Sequence, residues 1–110
     1  MQYKTTIKGD HTIIALTGEI DLQTSPEARE QLLELLKDRR HVLVDLSGVE
    51  YIDSSGIASL VEALQFAKSN GLFFGLVDIS EAAQQVIQLA RLDKVFALYD
   101  TIEEALAAAG

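Results

Sequence analysis

The stretch His41-Val42-Leu43-Val44-Asp45-Leu46-Ser47-Gly48-Val49-Glu50-Tyr51-Ile52-Asp53-Ser54-Ser55-Gly56 decides how the rest of the chain is read. Its first six residues carry apolar side chains at both parities, the pattern of a short strand covered on both faces. Ser47 to Asp53 then reads as a connection. Beyond it the apolar spacing changes. Ile57, Leu60, Val61, Leu64 and Ala67 recur at helical intervals, so a helix begins at Asp53-Ser54-Ser55-Gly56 with the Asp as a possible cap.

Working outward toward the C-terminus, Asn70-Gly71 stops this helix and Leu72 to Val77 is a second buried strand. Ser80 caps a third helix with Ala83, Val86, Ile87 and Ala90 facing inward. Val95 to Tyr99 is a last strand. Asp100 and Thr101, each followed three residues on by a glutamate (Glu103 and Glu104), are capping-box candidates for a final helix with inner stripe Ile102, Ala105, Leu106 and Ala109.

Toward the N-terminus, two apolar runs, Tyr3 to Lys8 and His11 to Thr17, flank Gly9-Asp10, which reads as a tight hairpin turn. Gly18-Glu19-Ile20-Asp21 leads to a first helix that starts with Ser25 as cap and Pro26 in the first turn. Ala28, Leu32, Leu35 and Leu36 form its stripe, and it ends near the basic Lys37-Asp38-Arg39-Arg40. The predicted order is β-β-α-β-α-β-α-β-α. It implies an α/β fold with a mixed, mostly parallel sheet of about five strands and about four helices. Right-handed crossovers bring the strand-to-helix loops to one edge of such a sheet, where sites usually form.

The totals bound the answer further. A chain of 110 residues, 48% hydrophobic, with no linker or repeat, is expected to be a single domain over residues 1–110 with a core of its own. No cysteine is present, which removes disulfides, thiolate zinc sites and cysteine nucleophiles together. Met1-Gln2-Tyr3-Lys4-Thr5-Thr6 lacks the apolar core of a signal peptide, and no run approaches the roughly 18 apolar residues of a membrane span. A soluble, cytoplasmic protein is expected. Seventeen acidic against nine basic residues give a net charge of −8. That argues against nucleic acid, whose phosphates need a basic surface, and is compatible with a positively charged protein partner or with plain solubility.

Two segments meet at the predicted site edge: Gly18-Glu19-Ile20-Asp21 and Asp53-Ser54-Ser55-Gly56. The second places two hydroxyls in a first helical turn, where unpaired N–H groups and a partial positive charge suit an anion, including a phosphate on one of the helix's own residues. Phosphoserine would bring about −1.5 to −2 charge beside Asp53 and Asp21. Spacing alone favours a plainer reading, in which Asp53, Ser54 and Ser55 are capping residues, Gly56 permits close packing and Asp21 is a loop residue.

Val42 to Gly56 closely resembles the signature of the STAS family of bacterial anti-sigma factor antagonists. So does Leu16-Thr17-Gly18-Glu19-Ile20-Asp21-Leu22, with Ile20 in place of the commoner leucine. Leu89-Ala90-Arg91-Leu92-Asp93-Lys94-Val95-Phe96 and Glu103-Glu104-Ala105-Leu106 are similar to the family's closing segment, so nearly the whole chain is covered. The resemblance implies a partner-switching protein. In such proteins the second serine of Asp-Ser-Ser-Gly, here Ser55, is phosphorylated by an anti-sigma factor with serine kinase activity. The unphosphorylated form binds that factor and frees the sigma factor, and a serine phosphatase restores it. Asp21 would lie beside the phosphoacceptor and help partner binding, with Asp53, Ser54 and Gly56 in the same surface. A monomer without cofactor or metal is expected. The alternative within the fold is a non-enzymatic accessory subunit of a stressosome scaffold or a lipid-transport complex.

Enzymatic readings fit less well. A serine hydrolase needs a base near Ser55, and the only histidines, His11 and His41, start strands whose far ends lead to it, roughly 17–20 Å away. Both are expected to be exposed strand-end residues. No Gly-x-Ser-x-Gly elbow and no phosphate-binding glycine loop occurs. The carboxylates lack a compact ligand spacing for a metal.

Overall fold

The computed structural model describes residues 1–109. Nine elements follow in the expected order: β1 (Gln2–Lys8), β2 (His11–Ile20), α1 (Ser25–Lys37), β3 (His41–Ile52), α2 (Ser54–Ser69), β4 (Phe74–Val77), α3 (Glu81–Leu89), β5 (Ala97–Tyr99) and α4 (Ile102–Ala109). The sheet order is β1-β2-β3-β4-β5. β1 pairs antiparallel with β2 through the Gly9-Asp10 turn, and the remaining pairs are parallel.

Strand alternation divides the core into two layers. On one face Ile14, Leu16, Val44, Leu46 and Leu76 pack with Leu32 and Leu36 of α1, Leu60 and Ala63 of α2, and Ala83 and Ile87 of α3. On the other, Ile13, Leu43 and Val77 pack with Ala105 of α4. No helix among the described residues is long and apolar enough to cross a membrane.

The largest departure from the sequence reading is the length of the two central strands. Ser47 to Ile52 is not a connection but the second half of β3, and Gly18-Glu19-Ile20 belongs to β2. The pairing slips between Ala15 and Thr17 and again between Gly18 and Glu19, so the strands bend but continue to a last pair, Ile20 with Ile52. Gly48 makes this possible. A Cβ there would lie 2.6 Å from the Thr17 methyl, closer than atoms approach. The bend carries the loop residues Asp21 and Asp53 out of the sheet side by side.

Smaller differences have local causes. Thr24, not Ser25, precedes α1 as N-cap and makes no side-chain cap bond, while Ser25 is buried. Ala90 is exposed because α3 ends at Leu89, one residue short of the expected stripe. β4 and β5 are shorter than expected, at four and three residues. Ser80 does cap α3, accepting from the Ala83 N–H, and Thr101 caps α4, accepting from Glu104 N.

The histidines are strand-end residues, as expected, but not exposed ones. His11 and His41 face each other across β2 and β3 with ring centroids 5.3 Å apart, both half-buried. Phe73 N donates to His41 Nδ1 at 3.0 Å. Burial, and then the neighbouring His41, hold the His11 imidazole below its ordinary pKa, against a smaller opposing pull from Asp10.

Candidate functional site

The site forms where the last rung of the β2–β3 pair opens into two loops. Asp53 N donates to the Ile20 carbonyl at 3.2 Å, tying the start of α2 to the end of β2. Gly56 deepens that contact. A Cβ on it would stand 2.6 Å from Ile52 Cγ1, 2.9 Å from Ile20 Cγ2 and 3.0 Å from the Ile20 carbonyl oxygen. Glycine is therefore required for α2 to start against the chain segment that becomes Asp21.

Asp53 is the N-cap of α2, with extended backbone (φ −110°, ψ −171°). Its Oδ1 accepts three donors: the Ser55 N–H at 3.0 Å, the Gly56 N–H at 3.2 Å and the Ser55 hydroxyl at 2.6 Å. The hydroxyl bond first, against an opposing desolvation penalty and with further help from the backbone N–H groups, holds the Asp53 carboxyl below the usual carboxylate range. Ser54 is exposed and Ser55 half-buried, so the two hydroxyls differ in setting although adjacent in sequence.

Asp21 organises the other loop. Its Oδ1 accepts from the N–H groups of Gln23 and Thr24, both at 3.0 Å, while its own N–H donates to Thr24 Oγ1 at 2.9 Å. Thr24 Oγ1 lies within bonding distance of both the Glu19 carbonyl and Asp21 Oδ1. These contacts fix a tight turn whose apex is Leu22, an apolar side chain left 76% exposed. At the same edge Tyr51 is 51% exposed. All five residues named from the sequence thus lie on one edge, Asp21 in the loop after β2 and Asp53, Ser54, Ser55 and Gly56 at the start of α2.

Three contributors were not read from the sequence. Leu22 was part of a motif but its exposure was not foreseen, since only the folded turn shows it pointing away from the core. Ser59, buried one turn after Ser55, has its hydroxyl 3.2 Å from the Ser25 carbonyl and 3.1 Å from the Ser55 carbonyl, joining the starts of α1 and α2. Arg29 of α1 forms a two-pronged ion pair with Glu62 of α2 on the surface. The i+4 spacing of Ser55 and Ser59 was a visible signal. The Arg29–Glu62 pair, 33 residues apart, had none. No cluster of three or more metal-ligating side chains occurs among the described residues.

The STAS domain profile matches residues 2–105. The chain belongs to the STAS domain family. A protein of Thermotoga neapolitana, provisionally named an anti-sigma factor antagonist homolog, is 40% identical over 99 residues, covering 88% of both chains. The anti-sigma-F factor antagonist RsfB of Mycobacterium tuberculosis is 34% identical over 95 residues, 86% of this chain and 77% of that protein. The crystal structure of an anti-sigma factor antagonist from Mycobacterium paratuberculosis matches with a TM-score of 0.85 at 28% identity, covering 97% of this chain and 92% of the other.

Proposed function

We propose that this protein is an anti-sigma factor antagonist of the partner-switching kind, in which Ser55 is the regulatory phosphoacceptor. The observation that carries the reading is the Ser55 hydroxyl itself. It lies in the first turn of α2, oriented by Asp53, on an edge where the Asp21 turn presents an exposed leucine. Unphosphorylated, this edge docks an anti-sigma factor and releases its sigma factor. The docking partner is also a serine kinase that inactivates the antagonist, and a serine phosphatase returns it to the active form. The protein acts here as ligand and phosphoacceptor, not as the enzyme, and works as a soluble cytoplasmic component.

Physics supports an off-state that leaves the fold intact. A phosphate on Ser55 adds about −1.5 to −2 charge where Asp53 and Asp21 already stand, changing the potential of the docking edge. The α2 start, with its partial positive charge, favours that added charge locally, so the helix has no reason to unwind.

The test is binding and phosphosite mapping with candidate anti-sigma factor kinases, using wild type, Ser55→Ala and Ser55→Asp. The expected result is one phosphate at Ser55 in the wild type, none in Ser55→Ala, retained binding by Ser55→Ala and lost binding by Ser55→Asp. Equal binding by both variants overturns the switch. Binding to a transporter ATPase instead points to an accessory subunit.

A further inference from the structure

We propose that the free edge of β1 is a second docking surface, which takes an extended acidic segment of a partner protein as an added strand. It uses none of the residues around Ser55 and stands or falls apart from them.

β1 borders the sheet and pairs only with β2. All seven of its residues are exposed. Its register runs unbroken from Lys8 with His11 to Gln2 with Thr17, and neither a bulge nor a proline spoils the outer side. The main-chain groups there follow a fixed pattern. Gly9, at φ +62°, stands first in the two-residue turn Gly9-Asp10, the glycine-first form of a tight hairpin. The pair flanking such a turn, Lys8 and His11, exchanges both main-chain bonds. Bonded pairs alternate along an antiparallel ladder, so Gln2, Lys4, Thr6 and Lys8 turn their N–H and C=O groups to β2. Tyr3, Thr5 and Ile7 turn theirs outward, ready for another strand.

The side chains select which strand that is. Lys4 and Lys8, the only charges of β1, stand on one face in a chain of net charge −8. Neither has an ion-pair partner among the described residues. The other face carries Tyr3, Thr5 and Ile7, exposed apolar side chains at either end. Tyr3 and Thr5 border a groove of about 400 Å³ whose far wall is Gln31, Glu34, Leu35 and Asp38. Asp38 is paired with Arg40, whereas Glu34 has no ion pair among the described residues.

An added strand therefore meets cations on one face and apolar surface beside a carboxylate on the other. Acidic residues at alternate positions match Lys4 and Lys8, and apolar residues between them lie along Tyr3 and Ile7. The opposite parity would bring acids toward Glu34, so the edge reads orientation as well as charge. A second copy of this chain is a poorer occupant. In an antiparallel β1 pair the lysines of both strands fall opposite or diagonal to one another on one face.

Amide hydrogen exchange followed by NMR tests the proposal on the intact protein. A capped peptide of alternating valine and glutamate is the probe, and the same peptide with lysine for glutamate is its control. At saturation the acidic peptide should slow exchange at Tyr3, Thr5 and Ile7 at least about tenfold, with little change at Lys4, Thr6 and Lys8, whose amides already serve β2. The double variant Lys4→Glu/Lys8→Glu, altered only at exposed side chains, should bind it at least about fivefold more weakly. Thr5→Pro removes one outward N–H without touching the β2 ladder and should abolish binding. Equal binding of the two peptides, or no slowing at Tyr3, Thr5 and Ile7, overturns the proposal. So does protection of those amides without peptide, rising with protein concentration as a dimer sediments, which assigns the edge to a second copy.

Discussion

The two ends of the β2–β3 pair are built on opposite principles. At one end His11 faces His41. The rings pack on each other and on Phe73, and His11 Nε2 is buried without a hydrogen-bond partner in the described structure. At the other end Ile20 faces Ile52, and the apolar rung is followed at once by two aspartates whose oxygens satisfy the backbone of their own loops. The first end spends polar groups on packing, at the cost of disfavouring a charge. The second holds the Asp53 carboxylate in its charged form and leaves the Ser54 hydroxyl at the surface. One pair of strands thus closes the fold at its base and displays chemistry at its edge.

The most disruptive way to test that division is Gly56→Ala. The added methyl meets the Ile20 carbonyl and two isoleucine side chains, so a loss of about 1–3 kcal/mol is expected from overpacking. Urea unfolding measures it. The loss should come with displacement of Asp21-loop amide resonances while the histidine end keeps its spectrum. If shifts spread equally to both ends, the edge is not a separable unit.

Next in size is Leu22→Glu. The side chain is 76% exposed, so stability should change by no more than about 0.5 kcal/mol. Binding to an anti-sigma factor, in contrast, should weaken at least about tenfold, as expected for loss of an apolar anchor. Calorimetry with the same preparation of partner gives both wild-type and variant affinities. Unchanged affinity would remove Leu22 from the docking edge.

The smallest effects are in pH dependence, and they separate the ends directly. His11 has its folded pKa below the unfolded 6.5, so its contribution is intact above that value and declines as pH falls below it. Asp53 has its folded pKa below 3.8, so its contribution is intact above about pH 4 and declines only further down. Stability against pH should therefore fall in two stages. His11→Gln should abolish the upper one alone and Asp53→Asn should diminish the lower one alone.

How much of this was legible in the sequence depends on whether the causes were local. Element order followed from spacing, since the change from strand to helix periodicity at Val42–Ala67 involves side chains close in sequence. Caps at Asp53, Ser80 and Thr101 were legible for the same reason. The second half of β3 was not. Ser47-Gly48-Val49-Glu50-Tyr51 lacks clean alternation because two register slips break it, and the slips arise from contacts with β2 some thirty residues earlier. The burial of the histidines depends on Phe73, just before β4, and on the end of α4, where Ala109 shares their cavity, so position at a strand start gave no warning. At the site, residue identity was readable while the bonding partner of each hydroxyl was not. Only the fold shows which hydroxyl Asp53 engages.

The shared rung of Ile20 and Ile52 has a consequence for modularity. Because both loops leave the sheet from one fixed step, their spacing is set by the strands and not by what the loops contain. The turn from Asp21 to Thr24 holds its shape with its own bonds, and the Asp53–Ser55 unit does the same. Under the proposed switch, one frame would then carry an address and a timer, and exchanging the first would retarget the protein to another partner without retuning the second.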